Sequence, residues 1–277
     1  MTDFSALDAA CPLLECPVCR GRGAAEVPLV RHDRQLACPN GHGFDIARQG
    51  YVNLAGGAPP ANADTAPMID ARQRFLDSGV YEPIRQAVSH ASDAAHWLVE
   101  VGAGTGWYLD GVLTHRRDAV GLATDVSVAA AKRAARSGLA SVVADTWAGL
   151  PIRSASVDAV LCVFAPRSAA EFARVLAPGG RAVVAWPTPR HLAALRERLG
   201  LLNVATDKDE QLVTQFGEAG LNPADRELVE FSAECTAQQV ADLVGMGPNA
   251  FHDHAPAQGP TTIDVSVEVG TFLRAGA

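Results

Sequence analysis

Nothing in the 277 residues approaches an apolar run of about 18, the least that a membrane-crossing helix requires. The first ten residues, MTDFSALDAA, carry neither the basic start nor the apolar stretch of a secretory leader. A membrane partner is therefore not expected, and the reading places the chain in the cytoplasm. Positive charge is also in deficit, since 23 Lys and Arg face 31 Asp and Glu for a net charge of −8. That balance argues against a general polyanion binder and leaves nucleic-acid recognition to a local surface. Cysteine is sparse and uneven: Cys11, Cys16, Cys19 and Cys38 crowd the N-terminus, while Cys162 and Cys235 stand alone. In a reducing compartment such a cluster suggests metal rather than disulfides. With 48% hydrophobic and 19% charged residues, the chain has the length and core for one α/β domain and a small appendage.

The cysteine cluster has ligand spacing. Cys16-Pro17-Val18-Cys19 is followed after 18 residues by Cys38-Pro39-Asn40-Gly41-His42. Cys16, Cys19, Cys38 and His42 make a set suited to tetrahedral Zn2+, and four protein ligands make a closed, structural site. The competing reading is a redox CxxC. Cys11 is badly spaced for a knuckle, and His32 reads as a loop residue. Residues 27–30 and 35–37 can form a hairpin between the knuckles. The stretch 43–54 interleaves aromatic, basic and amide side chains, either as a base-stacking surface or as packing for the module; packing is favoured. Residues 55–67, AGGAPPANADTAP, read as a linker. The domain reading is a zinc module over 1–54, this linker, and a catalytic domain over 68–277.

That second domain is organised around Trp97-Leu98-Val99-Glu100-Val101, a short strand, and the turn Gly102-Ala103-Gly104-Thr105-Gly106 before Trp107. Alternating glycines let the backbone turn sharply and approach a ligand. The pattern E-x-G-x-G-x-G differs from the dinucleotide fingerprint G-x-G-x-x-G. It resembles the first motif of class I S-adenosylmethionine-dependent methyltransferases, where the loop passes under the methionine part of the cofactor. Asp125 follows Gly106 by 19 residues, at the end of the next strand (119–123). It can accept the ribose hydroxyls, or it can cap the helix over 126–137. Asp145-Thr146, after a strand at 141–144, can reach the adenine. Further strands at 157–164 and 181–186, with a helix at 169–177, specify a doubly wound, mostly parallel sheet. The alternating tails 227–235 and 262–272 read as an antiparallel pair around a helix at 237–244.

Taken together, the knuckles followed by FDIARQGYVNL, then RFLDSGVYEPI, the glycine loop, VFAPR, LAPGG, PTPRHL and MGPNAFH make the chain resemble the 23S rRNA (guanine-N1)-methyltransferases. The likeness is to the branch that includes tylosin-resistance methyltransferases. It implies a class I fold with a seven-stranded sheet and transfer of a methyl group from S-adenosylmethionine to guanine N1 in a 23S rRNA hairpin, with S-adenosylhomocysteine as product. It also implies a zinc module that recognises the RNA, a homodimer, and a link to antibiotic resistance. Cofactor contacts carry over to Glu100, Gly102, Ala103, Gly104, Thr105, Gly106 and Trp107 of the loop, and to Tyr81 and His191. Read without the family, Tyr81 is equally a core aromatic and His191 a helix start. The linker departs from relatives with a basic segment there, since ANADTAP carries no positive charge.

Guanine N1 lies on the pairing edge, so the acceptor base must be unpaired or flipped, and its proton must leave. Phe164 is a stacking candidate. Asp145, His191, His252 and Asp253 are unranked proton acceptors, and Arg20 and Arg48 are phosphate candidates. Two other readings remain: a small-molecule methyltransferase with zinc as a structural cap, and an inactive zinc-containing RNA-binding protein.

Overall fold

The structure, a computed structural model, describes residues 3–23, 26–57, 60–203, 208–252, 255–256 and 259–276. The N-terminal part comprises α1 (Ser5–Ala10), α2 (Pro17–Gly21), β1 (Val30–His32), β2 (Gln35–Ala37), β3 (Gly43–Asp45) and β4 (Val52–Asn53). After the connector come α3 (Ala66–Asp77), α4 (Glu82–Ala91), β5 (Trp97–Val101), α5 (Trp107–His115), β6 (Val120–Asp125), α6 (Val128–Arg136) and β7 (Ala140–Val143). The chain continues with β8 (Val157–Val163), α7 (Ala169–Val175), β9 (Leu176–Pro187), α8 (Ala193–Leu199) and α9 (Lys208–Glu218). It ends with β10 (Leu221–Cys235), α10 (Ala237–Gly245) and β11 (Thr261–Arg274).

Among the described residues the main sheet runs β10-β11-β9-β8-β5-β6-β7-β4. Pairs with β11 are antiparallel and the rest parallel. The expected seven strands are all present. The eighth, β4, comes from the N-terminal module: Val52 and Asn53 pair with Val142 and Val143, and the Leu54 N–H donates to the Val143 carbonyl at 2.9 Å. β1, β2 and β3 form a separate antiparallel sheet; the strand expected over 27–30 lies at Val30–His32, and the hairpin gains a third strand. No helix among the described residues is long and apolar enough to cross a membrane.

Period-two alternation sends neighbouring side chains to opposite faces of the sheet. In β9, Ala182, Val184 and Trp186 enter one core, while Val183 and Ala185 enter the other. The second core is roofed by α4, α5 and α10. The first contains Leu7, Ala10, Leu13, Leu14, Leu36 and Ile46 beside Val99, Val101, Leu122 and Val142. The zinc module therefore covers one sheet face. Within 43–54, Ile46, Val52 and Leu54 are buried, so packing accounts for the apolar residues there.

Some boundaries move. α7 ends at Val175 and β9 begins at Leu176, because Pro178-Gly179-Gly180 is an irregular extended stretch, with Gly179 at φ +77°, rather than a stop between helix and strand. The helix expected over 126–137 starts at Val128 and is capped by Ser127, whose Oγ accepts the Ala130 N–H at 3.3 Å. α9 had no sequence expectation; its Phe216 packs on Phe172 and Phe272.

Leu14 is fully buried where module and sheet meet. Leu14→Ala should destabilise the whole chain by about 2–5 kcal/mol, seen as one lowered denaturation midpoint by tryptophan fluorescence. Two separate transitions would mean that the module folds on its own.

Candidate functional site: a zinc cluster and a glycine-loop cradle

The Cys16, Cys19 and Cys38 Sγ atoms and the His42 ring nitrogen lie within 4.8 Å of one another. His42 Nδ1 is 3.4–3.5 Å from the three sulfurs, and Cys19 Sγ is 3.9 Å from Cys38 Sγ. A zinc tetrahedron with Zn–S about 2.3 Å and Zn–N about 2.0 Å has S–S edges of about 3.8 Å and S–N edges of about 3.5 Å. The contacts are the edges of such a tetrahedron. α2 begins just after Cys16 and presents Cys19 one turn on, while the turn at Gly41 (φ +84°) brings His42 back over Cys38. The Asn40 amide donates to Cys19 Sγ at 3.3 Å, an outer partner for a thiolate. These four residues are the ones that would hold zinc. Cys11 is outside the cluster.

β5 ends on the switch point of the sheet, where the strand order reverses between β5 and β8. There Gly102, Gly104 and Gly106 take φ +66°, +56° and +76°. A Cβ would lie 2.5 Å from Ala165 Cβ at Gly102 and 2.3 Å from Leu139 Cδ1 at Gly106. The Ala103 N–H ties the loop to the Thr124 carbonyl at 3.0 Å. Thr105 Oγ1 and Tyr108 Oη are buried and have no hydrogen-bond partner among the described residues. A glycine turn with an orphaned hydroxyl of its own at Thr105, and another in the first turn of the helix that follows, fits a polar ligand such as S-adenosylmethionine.

Asp125, at the end of β6, accepts the Gly104 N–H at Oδ2 and the Ser127 N–H at Oδ1, both at 2.8 Å. The helix cap belongs to Ser127, so the carboxylate points to the loop, where each oxygen keeps a lone pair for a ribose hydroxyl. Burial raises its pKa. Glu100 lies beneath the loop, accepts the Leu109 N–H at 3.1 Å, and is pushed by burial to about 8. Asp145 and Thr146 sit half-buried at the end of β7 on the same rim, and Asp145 accepts the Trp147 N–H at 2.9 Å. Trp147 itself is 70% exposed. The Trp107 indole lies under Arg85, 4.4 Å from its guanidinium carbon, so it serves the core while its backbone starts α5.

Tyr81 and His191, 110 positions apart, meet beside the cradle. Tyr81 Oη is 3.4 Å from His191 Nε2, and Phe164 stacks on His191 with centroids 6.0 Å apart. His191 Nδ1 accepts the Ser266 N–H at 3.3 Å, which assigns the ring proton to Nε2, facing Tyr81. Burial pulls the imidazole down to about 4. With both nitrogens engaged, His191 is removed from the proton acceptors. Phe164 is 39% exposed and at φ +53°, a strained position for a non-glycine residue at the rim.

Other candidates go elsewhere. Arg20 pairs with Glu15 at 3.3 Å and Glu171 at 2.9 Å and bonds the Leu150 carbonyl, so it joins module to sheet instead of facing phosphate. His252 is exposed on a cavity of about 390 Å³ lined also by Asn62, Asp64, Met68 and Phe251. Asp253 lies outside the described residues. The sequence does not single out Arg72, which lies across Gly104, or Tyr108, because their helical positions resemble any amphipathic pattern.

Residues 14–56 match the zinc-ribbon family described as RlmA, N-terminal, and residues 99–184 match the family described as Methyltransferase domain. A 23S rRNA (guanine(748)-N(1))-methyltransferase of Streptomyces fradiae is 39% identical over 251 residues, covering 86% of this chain and 86% of its own. A protein of Micromonospora griseorubida, provisionally named a 23S rRNA (guanine-N1)-methyltransferase, is 40% identical over 293 residues, or 94% of this chain and 97% of its own. Among solved structures, a chain of the complex between the Haloferax volcanii Trm112 methyltransferase activator and a methyltransferase superposes with TM-score 0.52 at 18% identity, covering 76% of this chain and 96% of that one. YcgJ of Bacillus subtilis reaches 0.50 at 13%, covering 71% and 100%. The structural likeness concerns the fold alone, that of class I methyltransferases.

Asp125→Ala should weaken S-adenosylhomocysteine binding by at least about tenfold in calorimetry while zinc content by metal analysis stays unchanged; unaltered affinity would remove the ribose assignment. Glu100 is protonated in the fold up to about pH 8, whereas the unfolded chain loses that proton near 4.5. The folded state then holds the extra proton across this window, so Glu100 makes stability fall as pH rises. Glu100→Gln should flatten that part of a stability–pH curve measured by chemical denaturation.

Proposed function

We infer the function of this chain from its family together with its site: it belongs to the 23S rRNA (guanine-N1)-methyltransferases, and it transfers a methyl group from S-adenosylmethionine to N1 of a guanine in 23S rRNA. The observation that carries this reading is the joining, on one shared core, of a closed Cys3His zinc cluster and a glycine cradle edged by Asp125. When bound, the cofactor supplies a methyl group on a sulfonium.

The chain's part is alignment and exclusion of water, because an in-line transfer depends on where the acceptor nitrogen is held. In our assignment the glycine loop from Gly102 to Gly106 supports the methionine part, Asp125 takes the ribose hydroxyls, and Asp145 and Thr146 border the adenine. Tyr81, His191 and Phe164 form a wall that stays uncharged, since burial keeps the imidazole neutral. A cation in that wall would repel a sulfonium. Phe164, exposed and strained at the rim, is our platform for the unpaired guanine.

We further assign residues 1–54 as the RNA-recognition module, 55–67 as the connector and 68–277 as the catalytic part. This is a division of roles, as the module and the sheet share a core. The acceptor guanine belongs in a hairpin, where its N1 edge is reachable. We extend the resemblance to a homodimer acting in the cytoplasm, with two copies enclosing the RNA; light scattering of the purified chain tests that state.

The activity is tested with labelled S-adenosylmethionine and unmodified 23S rRNA, mapped by primer extension, because N1 methylation blocks pairing and arrests the polymerase. A single arrest at a hairpin guanine is expected. No arrest, with cofactor binding intact, would transfer the reading to a small-molecule methyltransferase with zinc as a cap. RNA binding without turnover on any acceptor would favour an inactive RNA-binding protein.

A further inference from the structure

The glycine loop carries a cation to which the reading above gives no part. Arg72, on α3, lays its side chain across Gly104: a Cβ there would lie 2.5 Å from Nη1 and 3.2 Å from Cδ. Glycine at 104 therefore makes room for the guanidinium as well as for a ligand. Arg72 pairs with Asp64 of the connector at 2.6 Å, and its Nη2 donates to the Met246 carbonyl at 2.7 Å. A guanidinium has five N–H donors in a planar fork, so these two partners leave capacity for another acceptor. Asp64 demonstrates that a carboxylate fits this guanidinium.

Two further observations locate the acceptor. The Thr105 and Tyr108 hydroxyls, in the loop and in the first turn of α5, are buried with no hydrogen-bond partner among the described residues. Such atoms are costly unless a ligand satisfies them. The charge of Arg72 is also felt at Tyr108, Glu100 and Asp125, the groups that surround the loop. A planar cation laid across Gly104, next in sequence to the unpartnered Thr105 hydroxyl, is suited to receive a carboxylate.

We propose that Arg72, assisted by the Tyr108 hydroxyl, binds the α-carboxylate of the methionyl part of the cofactor and thereby fixes where the reactive sulfur lies over the loop. The inference rests on the assignment of this loop as the S-adenosylmethionine cradle.

The test compares two ligands by calorimetry: S-adenosylhomocysteine, and 5′-methylthioadenosine, which has the nucleoside and thioether but no amino-acid part. Arg72→Gln should weaken S-adenosylhomocysteine by at least about tenfold, while 5′-methylthioadenosine changes less than about twofold. Retained binding of the second ligand also reports an intact fold. Tyr108→Phe should weaken S-adenosylhomocysteine without lowering the melting temperature of the ligand-free protein, because that hydroxyl has no partner there. Equal losses for both ligands would mean that Arg72 merely shapes the loop and would overturn the proposal, as would unaltered S-adenosylhomocysteine affinity. Failure of the unsubstituted protein to bind S-adenosylhomocysteine would instead overturn the methyltransferase reading itself.

Discussion

The backbone between β5 and α5 takes a path that side chains would obstruct. At Gly102, Gly104 and Gly106 a left-handed conformation coincides with neighbours too close for a Cβ, and each neighbour comes from a different part of the chain. Ala165 after β8, Arg72 of α3 and Leu139 before β7 clamp the loop from three directions. Asp125 adds a fourth restraint through the Gly104 N–H. A loop held in this way is rigid before any ligand arrives, which is what alignment of a displacement reaction requires. The carboxyl ends of β5, β6, β7 and β8 then deliver Glu100, Asp125, Asp145 and Phe164 around it.

The same rigidity extends to the zinc module. Its apolar residues cover one face of the sheet, β4 extends the sheet edge, and Glu15, Arg20, Glu171 and Arg174 form an ion-pair network across the junction. Glu15 is 2% exposed, a burial that a carboxylate tolerates with two guanidiniums beside it. Zinc substitutes for the core that a module of this size cannot build from its own side chains. The module and the cradle are thus held at a set distance from each other.

Burial also sets the electrostatics of the wall. Tyr81, Phe164 and His191 touch one another beside the loop, and the Ser266 N–H and the Tyr81 hydroxyl use both nitrogens of His191. The ring is held neutral and oriented. It contributes shape and a fixed tautomer rather than proton transfer.

Local pattern carried much of this protein. The knuckle spacing names four zinc ligands without help from the fold, because a CxxC and a CxxxH each place their ligands within one turn. The glycine alternation after a buried strand, and a carboxylate ending the next strand, mark the cradle, because strand, turn and helix are contiguous in the chain. The parallel sheet follows from the spacing of its elements. What the sequence by itself could not determine is long-range partnership. Tyr81 meets His191 across 110 positions, Arg20 is diverted to Glu171 across 151, and Arg72 reaches Gly104 from another helix. The cover that the zinc module gives the sheet was equally hidden, since an apolar residue facing its own small core and one facing a neighbouring sheet are written alike. Composition and periodicity report that a side chain is buried. Only the tertiary packing, in which each buried polar group must find a partner, decides against what.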